Sequence, residues 1–141
     1  MKAASGSESF GISPRALIRD AEGRWLFIRR SAQSRHWAGK WEPPGGKMDP
    51  GETVDAALAR EVREETALRI RDLHVAGATE GRTESARFVV LLLEARAEPG
   101  EVRLSEEHDA FAWVTPDEAA ALDLSTVYAA FIKSWMKSKR R

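Results

Sequence analysis

The chain has 141 residues, 43% hydrophobic and 31% charged, enough for one domain with a real core, which excludes intrinsic disorder as its global state. Its 22 Lys and Arg balance 22 Asp and Glu, so no overall field draws it to nucleic acid or a membrane, and an anionic substrate has to be recognised locally. Without cysteine there are no disulfides, thiol nucleophiles or Cys-based zinc sites. No apolar run approaches the roughly 18 residues of a membrane span. The polar stretch 1–9 has no apolar signal core, so it reads as a mobile leader on a cytoplasmic protein, with one domain over 10–141.

In chain order, strands are predicted over 11–19 and 25–30, joined by the turn-rich Asp20-Ala21-Glu22-Gly23. Pro14 places the first of them at a sheet edge. Residues 31–52, rich in Gly, Pro, Ser and Trp, form a long ordered loop of the kind that usually carries function. A helix follows over 53–66. The run FVVLLL at 88–93 is a strand buried on both faces, and 110–114 is a further short strand. Thr115, Pro116 and Glu118 have the chemistry of a capping box opening a helix. Leu124, Val127, Tyr128, Phe131, Ile132 and Trp135 then repeat at helical spacing. Strands interleaved with helices give an α/β fold, a mixed sheet covered by helices.

The helix at 53–66 is the most informative segment. Val54, Ala57, Leu58 and Val62 make an apolar stripe, and Glu61, Glu64 and Glu65 fall within the same arc. Three acids so placed repel one another, oppose the macrodipole at the helix C-terminus, and are expensive to desolvate. A solvated face partly balanced by Arg60 and Arg63 explains any one of them, but not three together on the core-facing arc. A hard divalent cation, Mg²⁺ or Mn²⁺, relieves all three costs.

The segment GKMDPGETVDAALAREVREETAL resembles the Nudix box, the signature of hydrolases acting on nucleoside diphosphates linked to a further group X. Gly46, Glu52, Arg60, Glu61, Val62, Glu64, Glu65 and Leu68 match it, and Ala67 stands where the family has glycine. The preceding WEPPGG is similar to the family's entry to the box. The resemblance implies an α/β/α sandwich over nearly the whole chain. It also implies that Glu64 and Glu65 are metal ligands, with Glu61 a further ligand or the base that activates water. The Gly45 carbonyl would add a ligand, Arg60 would hold the carboxylates, and Glu52 would pair with a basic partner and steady the loop. A distant acid is expected from 104–108, with Glu107 the first choice and Glu106 the second. Alanine at position 67 is expected to continue the helix rather than adopt glycine's left-handed conformation.

Length and sparse decoration look most like the MutT-like branch, which implies conversion of a nucleoside triphosphate, oxidised ones included, to monophosphate and pyrophosphate. The stretch from Arg30 to Gly46 partly resembles coenzyme A pyrophosphatases, though Pro43 replaces their phenylalanine, and Glu84 stands where ADP-ribose hydrolases often have proline. A nucleotide-sugar pyrophosphatase and a non-catalytic nucleotide-binding regulator are further alternatives; regulators typically lose box carboxylates, which survive here. Arg30, Arg35, Trp37 and Trp41 are the candidates for substrate contact. His36, His74 and His108 lack metal-type spacing and read as surface residues. No strong nucleic-acid signal is present, and oligomeric state is not legible.

Overall fold

The structure is a computed structural model and describes residues 9–139. Its elements are β1 (Ser9–Arg19), β2 (Trp25–Arg30), β3 (Trp41–Glu42), α1 (Val54–Thr66), β4 (Ile70–Arg82), β5 (Ala86–Ala97), β6 (His108–Val114), α2 (Pro116–Ala121) and α3 (Thr126–Lys139). Ser9, expected in the leader, already belongs to β1; the rest of that stretch lies outside the described residues. The described residues contain no helix long and apolar enough to cross a membrane.

One mixed sheet runs in the order β3-β2-β1-β5-β4, with β6 paired to β2. β1 and β5 are parallel over eleven residues, from Ser9 opposite Ala86 to Arg19 opposite Arg96. The central strands are apolar on both faces, and residue parity sorts them. Leu17, Trp25, Phe27, Val90 and Leu92 pack with Val127, Tyr128 and Ile132 under α3. Ala16, Ile18, Leu26, Ile28 and Leu93 pack with Leu58 and Val62 under α1. Helices therefore cover both faces, the expected α/β/α sandwich. The capping box at α2 forms as its sequence requires, Glu118 N–H to Thr115 Oγ1 at 3.2 Å and Thr115 N–H to Glu118 Oε1 at 2.9 Å.

Pro14 is internal, not at an edge. β1 meets β2 only at Arg19–Trp25, so beside Pro14 the strand is flanked by the 43–46 loop. The Pro14 carbonyl accepts from Gly46 N–H at 3.1 Å, and the missing proline N–H deprives no ladder partner. The strand without a sequence signal is β4. Register shifts at Arg71/His74 and Val75/Gly77 interrupt its alternation, and Asp72 takes φ 58°. Ala67 is also corrected: it lies at φ 67°, ψ 5°, a left-handed residue that ends α1 and donates its N–H to the Arg63 carbonyl.

Candidate active site

The site is assembled around the end of α1. Thr53 caps the helix start by accepting from Ala56 N–H at 3.2 Å. The helix then carries Arg60, Glu61, Glu64 and Glu65 toward the 43–52 loop. Arg60 grips Glu52 with two hydrogen bonds, Nε to Oε2 at 2.7 Å and Nη2 to Oε1 at 2.9 Å. That bond, with the Asp49 N–H, holds the Glu52 carboxyl down at about 2. Arg60 Nη1 reaches Glu61 Oε2 and Glu64 Oε1, both at 3.3 Å.

The three helix glutamates differ in depth. Glu64 is 59% exposed, Glu61 18%, and Glu65 is buried. The common inward arc expected from periodicity is thus graded, because Arg60 draws Glu61 and Glu64 along the helix surface while Glu65 turns under the loop. Glu65 Oε1 accepts the Gly45 N–H at 3.0 Å. Burial pushes the Glu65 carboxyl up to about 7, against the opposing pull of Arg15 and the Gly45 bond. Burial also raises Glu61. A Cβ on Gly46 would sit 2.5 Å from the Glu61 carboxyl carbon, so this glycine leaves the space that Glu61 occupies.

The loop before β6 docks on the C-terminal end of α1. Arg103 N–H donates to Thr66 O at 2.8 Å and Ser105 N–H to Glu65 O at 3.2 Å. This brings Glu107 and His108 to Glu65, with one ligand atom of each residue lying within 4.8 Å of the others. Glu106, Glu61 and Glu64 are outside that group. Carboxylate oxygens joined by a ring nitrogen, with one carboxyl reluctant to ionise without compensation, fit a divalent cation.

His108 and Glu42 are the residues sequence reasoning missed. His108 is buried, not on the surface, and its Nε2 lies 2.8 Å from Glu42 Oε2. Burial pushes the Glu42 carboxyl up, but Arg15, the His108 bond and Arg30 together hold it at about 2. An ionised carboxylate only accepts, so His108 Nε2 carries the proton. Its Nδ1 is buried without a partner among the described residues. Strand parity gave no signal for it: a bulge against β2 between Arg29 and Arg30 puts His108, opposite Arg30, out of step with Ala110, Ala112 and Val114.

A cleft of about 450 Å³ opens between the first half of β1, the start of β5, α3 and the 36–47 loop. Phe88, Trp37 and Tyr128 give it aromatic walls, and Trp37 meets Phe88 edge-on at 6.2 Å. Four cations line it, Arg15, Arg30, Lys47 and Arg87, and no acid does. Of the substrate candidates, Arg30 and Trp37 line this cleft. Arg35 borders an adjoining hollow with Arg82 and Glu84. Trp41 packs on the core beneath the Arg29 guanidinium, 5.7 Å from its ring centre.

Comparison with known proteins places this geometry. The NUDIX domain model matches residues 10–135. A MutT-like protein of Streptomyces ambofaciens is 34% identical over 118 residues, 84% of this chain and 71% of that protein. The nucleoside triphosphatase NudI of Enterobacter sp. (strain 638) is 31% identical over 114 residues, 73% of this chain and 81% of that one. Among solved structures, the MutT protein of Methanosarcina mazei Go1 superposes with a TM-score of 0.84 at 31% identity, covering 95% of this chain and 98% of that one. With a family match spanning most of its length, this protein belongs to the Nudix hydrolases, on their MutT-like branch, and is a pyrophosphohydrolase of that family.

Proposed function

We propose that this chain, a single Nudix domain over 10–141, hydrolyses nucleoside triphosphates, oxidised ones included, to nucleoside monophosphate and pyrophosphate. The observation that carries the reading is the cleft, aromatic on its walls and lined by four cations without an acid, in a chain of zero net charge. Aromatic faces suit a nucleobase and the cations suit its phosphates. The likeness to a nucleoside triphosphatase at 31% identity supports it.

In this reading Glu61, Glu64, Glu65, Glu107 and the Gly45 carbonyl hold magnesium or manganese. When bound, the cation neutralises the diphosphate and makes a water acidic. Glu61, half-buried beside Gly46, would serve as the base toward the attacking water. Arg60 keeps the carboxylates of Glu61 and Glu64 in place, and Glu52 keeps Arg60 in place. Arg30 binds phosphate and Trp37 stacks on the base. Arg35 acts from the adjoining hollow, and Trp41 through its packing on the core.

The test is a panel of nucleoside triphosphates, oxidised deoxynucleoside triphosphates, nucleotide sugars and coenzyme A with Mg²⁺, scored for pyrophosphate, orthophosphate and nucleotide product. Pyrophosphate with monophosphate is expected from the triphosphates. Preferred cleavage of coenzyme A or a nucleotide sugar would replace this reading with the second one, and binding without turnover would mark a regulator.

A further inference from the structure

Beside the carboxylate group lies a charge arrangement that box residues do not explain. Arg15 projects from the middle of β1 on the same face as Leu17, toward α3, with its side chain 12% exposed. Glu42 Oε2 receives Arg15 Nη1 at 3.3 Å and Arg30 Nη1 at 3.1 Å. Two guanidiniums share one carboxylate, and Glu65 and Glu61 act on Arg15 only through space.

The hydrogen-bonding fork of Arg15 is half used. Nη1 also donates to Pro43 O at 3.0 Å, so its polar contacts among the described residues all run through that nitrogen. Nε is buried without a partner there. The guanidinium rests over the Tyr128 ring, 5.7 Å from its centre. An arginine kept only for structure satisfies its donors, because a buried donor left unpaired is costly. Tyr128 belongs to the aromatic wall, whereas Glu42 and Pro43 lead into the loop that holds Glu65. Arg15 therefore stands between the nucleobase end of the cleft and the carboxylates, where the phosphate attached to the nucleoside has to pass.

We propose that Arg15, with Arg30, seats the phosphate that joins the nucleoside, a proposal resting on the nucleotide reading above. Oxygens of that phosphate accept from Nε and Nη2, and the excess positive charge is matched.

The experiment is metal-free binding, in chelator, of the four ribonucleosides and their 5′-monophosphates, followed by equilibrium dialysis. Wild type, Arg15→Met and Arg15→Lys are compared, with melting temperatures as fold controls. Wild type should prefer the monophosphate by about tenfold or more, as a charge-assisted pair requires. Arg15→Met should reduce that preference to about twofold while leaving nucleoside affinity unchanged, and Arg15→Lys should restore part of it. If Arg15→Met does not fold, Arg15→Gln, with its long polar stem, is read in its place. An intact phosphate preference in the folded variant overturns the proposal, as does an equal loss for nucleoside and monophosphate. Wild type that neither binds these ligands nor cleaves any triphosphate overturns the nucleotide reading itself, whereas turnover with a preference indifferent to Arg15 overturns only the phosphate seat.

Discussion

Gly45 donates its backbone N–H to the buried carboxylate of Glu65 at 3.0 Å, and it does so from φ 147° with no space for a side chain. A Cβ there would lie 2.3 Å from Pro14 O and 2.7 Å from Arg15 Cα. Both obstacles are backbone of a central strand, so they cannot yield. Gly45→Ala should therefore destabilise the protein by about 2 kcal/mol or more, read as a lower denaturant midpoint, and should impair catalysis beyond its effect on folding.

Glu65 and Glu64 separate two consequences of losing a carboxylate. Each change to glutamine should lower kcat by at least about 10²-fold, as expected for a lost preorganised charge. In chelator, Glu65→Gln should melt no lower than wild type, because a neutral amide is cheaper to bury than a carboxylate. The exposed Glu64 should be neutral for folding. Addition of Mg²⁺ should raise the wild-type melting temperature and raise that of Glu65→Gln much less. Full activity of wild type in excess chelator would sink the metal assignment.

Glu107 and Glu106 are adjacent in sequence, yet only Glu107 joins Glu65 and His108. Glu107→Gln should lower kcat and raise the Mg²⁺ needed for half activity, with little change in the metal-free melting temperature. Glu106→Gln, the same charge change one residue away, should behave as wild type. Equal, negligible effects would make this loop a solvated acidic surface.

Ala67 pays for its left-handed backbone with Cβ strain. Ala67→Gly should stabilise the protein by about 1 kcal/mol, seen as a higher denaturant midpoint with unchanged slope. A lower midpoint would mean that the residue is helical in solution.

The β1–β2 turn carries a pH dependence. Asp20 Oδ1 accepts from Glu22 and Arg24 N–H groups at 3.0 and 2.8 Å, and Oδ2 from Arg24 Nε at 2.8 Å. Slight burial pushes the Asp20 carboxyl up, but these bonds outweigh it and hold it below its ordinary value. A group lowered on folding stabilises above its unfolded pKa, and that stability is lost as pH falls through the folded value. Asp20→Ala should cost about 1 kcal/mol near pH 7, a figure kept low because the turn is partly exposed. The difference from wild type should shrink below about pH 4, where the unfolded carboxyl protonates. A constant difference down to acid pH would assign the effect to the turn backbone instead.

Local pattern was enough for much of this protein. The capping box at Thr115, the apolar run of β5, the Thr53–Thr66 segment with its glutamates and the pairing of Glu52 with a basic partner all rest on neighbours within a few residues or on a contiguous motif. Hydrophobic periodicity and short-range side-chain chemistry act at that distance, so the chain announces them. What lies outside that range had to be folded to be seen. β4 is an irregular edge strand whose bulges break the alternation that marks a strand. Periodicity put Glu61, Glu64 and Glu65 on one arc, but their depths depend on where Arg60 and the 43–46 loop settle. His108, Glu42 and Arg15 come from three separate strands, and no spacing joins them. They meet because the sheet brings β1, β3 and β6 around β2, and because a buried charge has to find its partners wherever the topology delivers them.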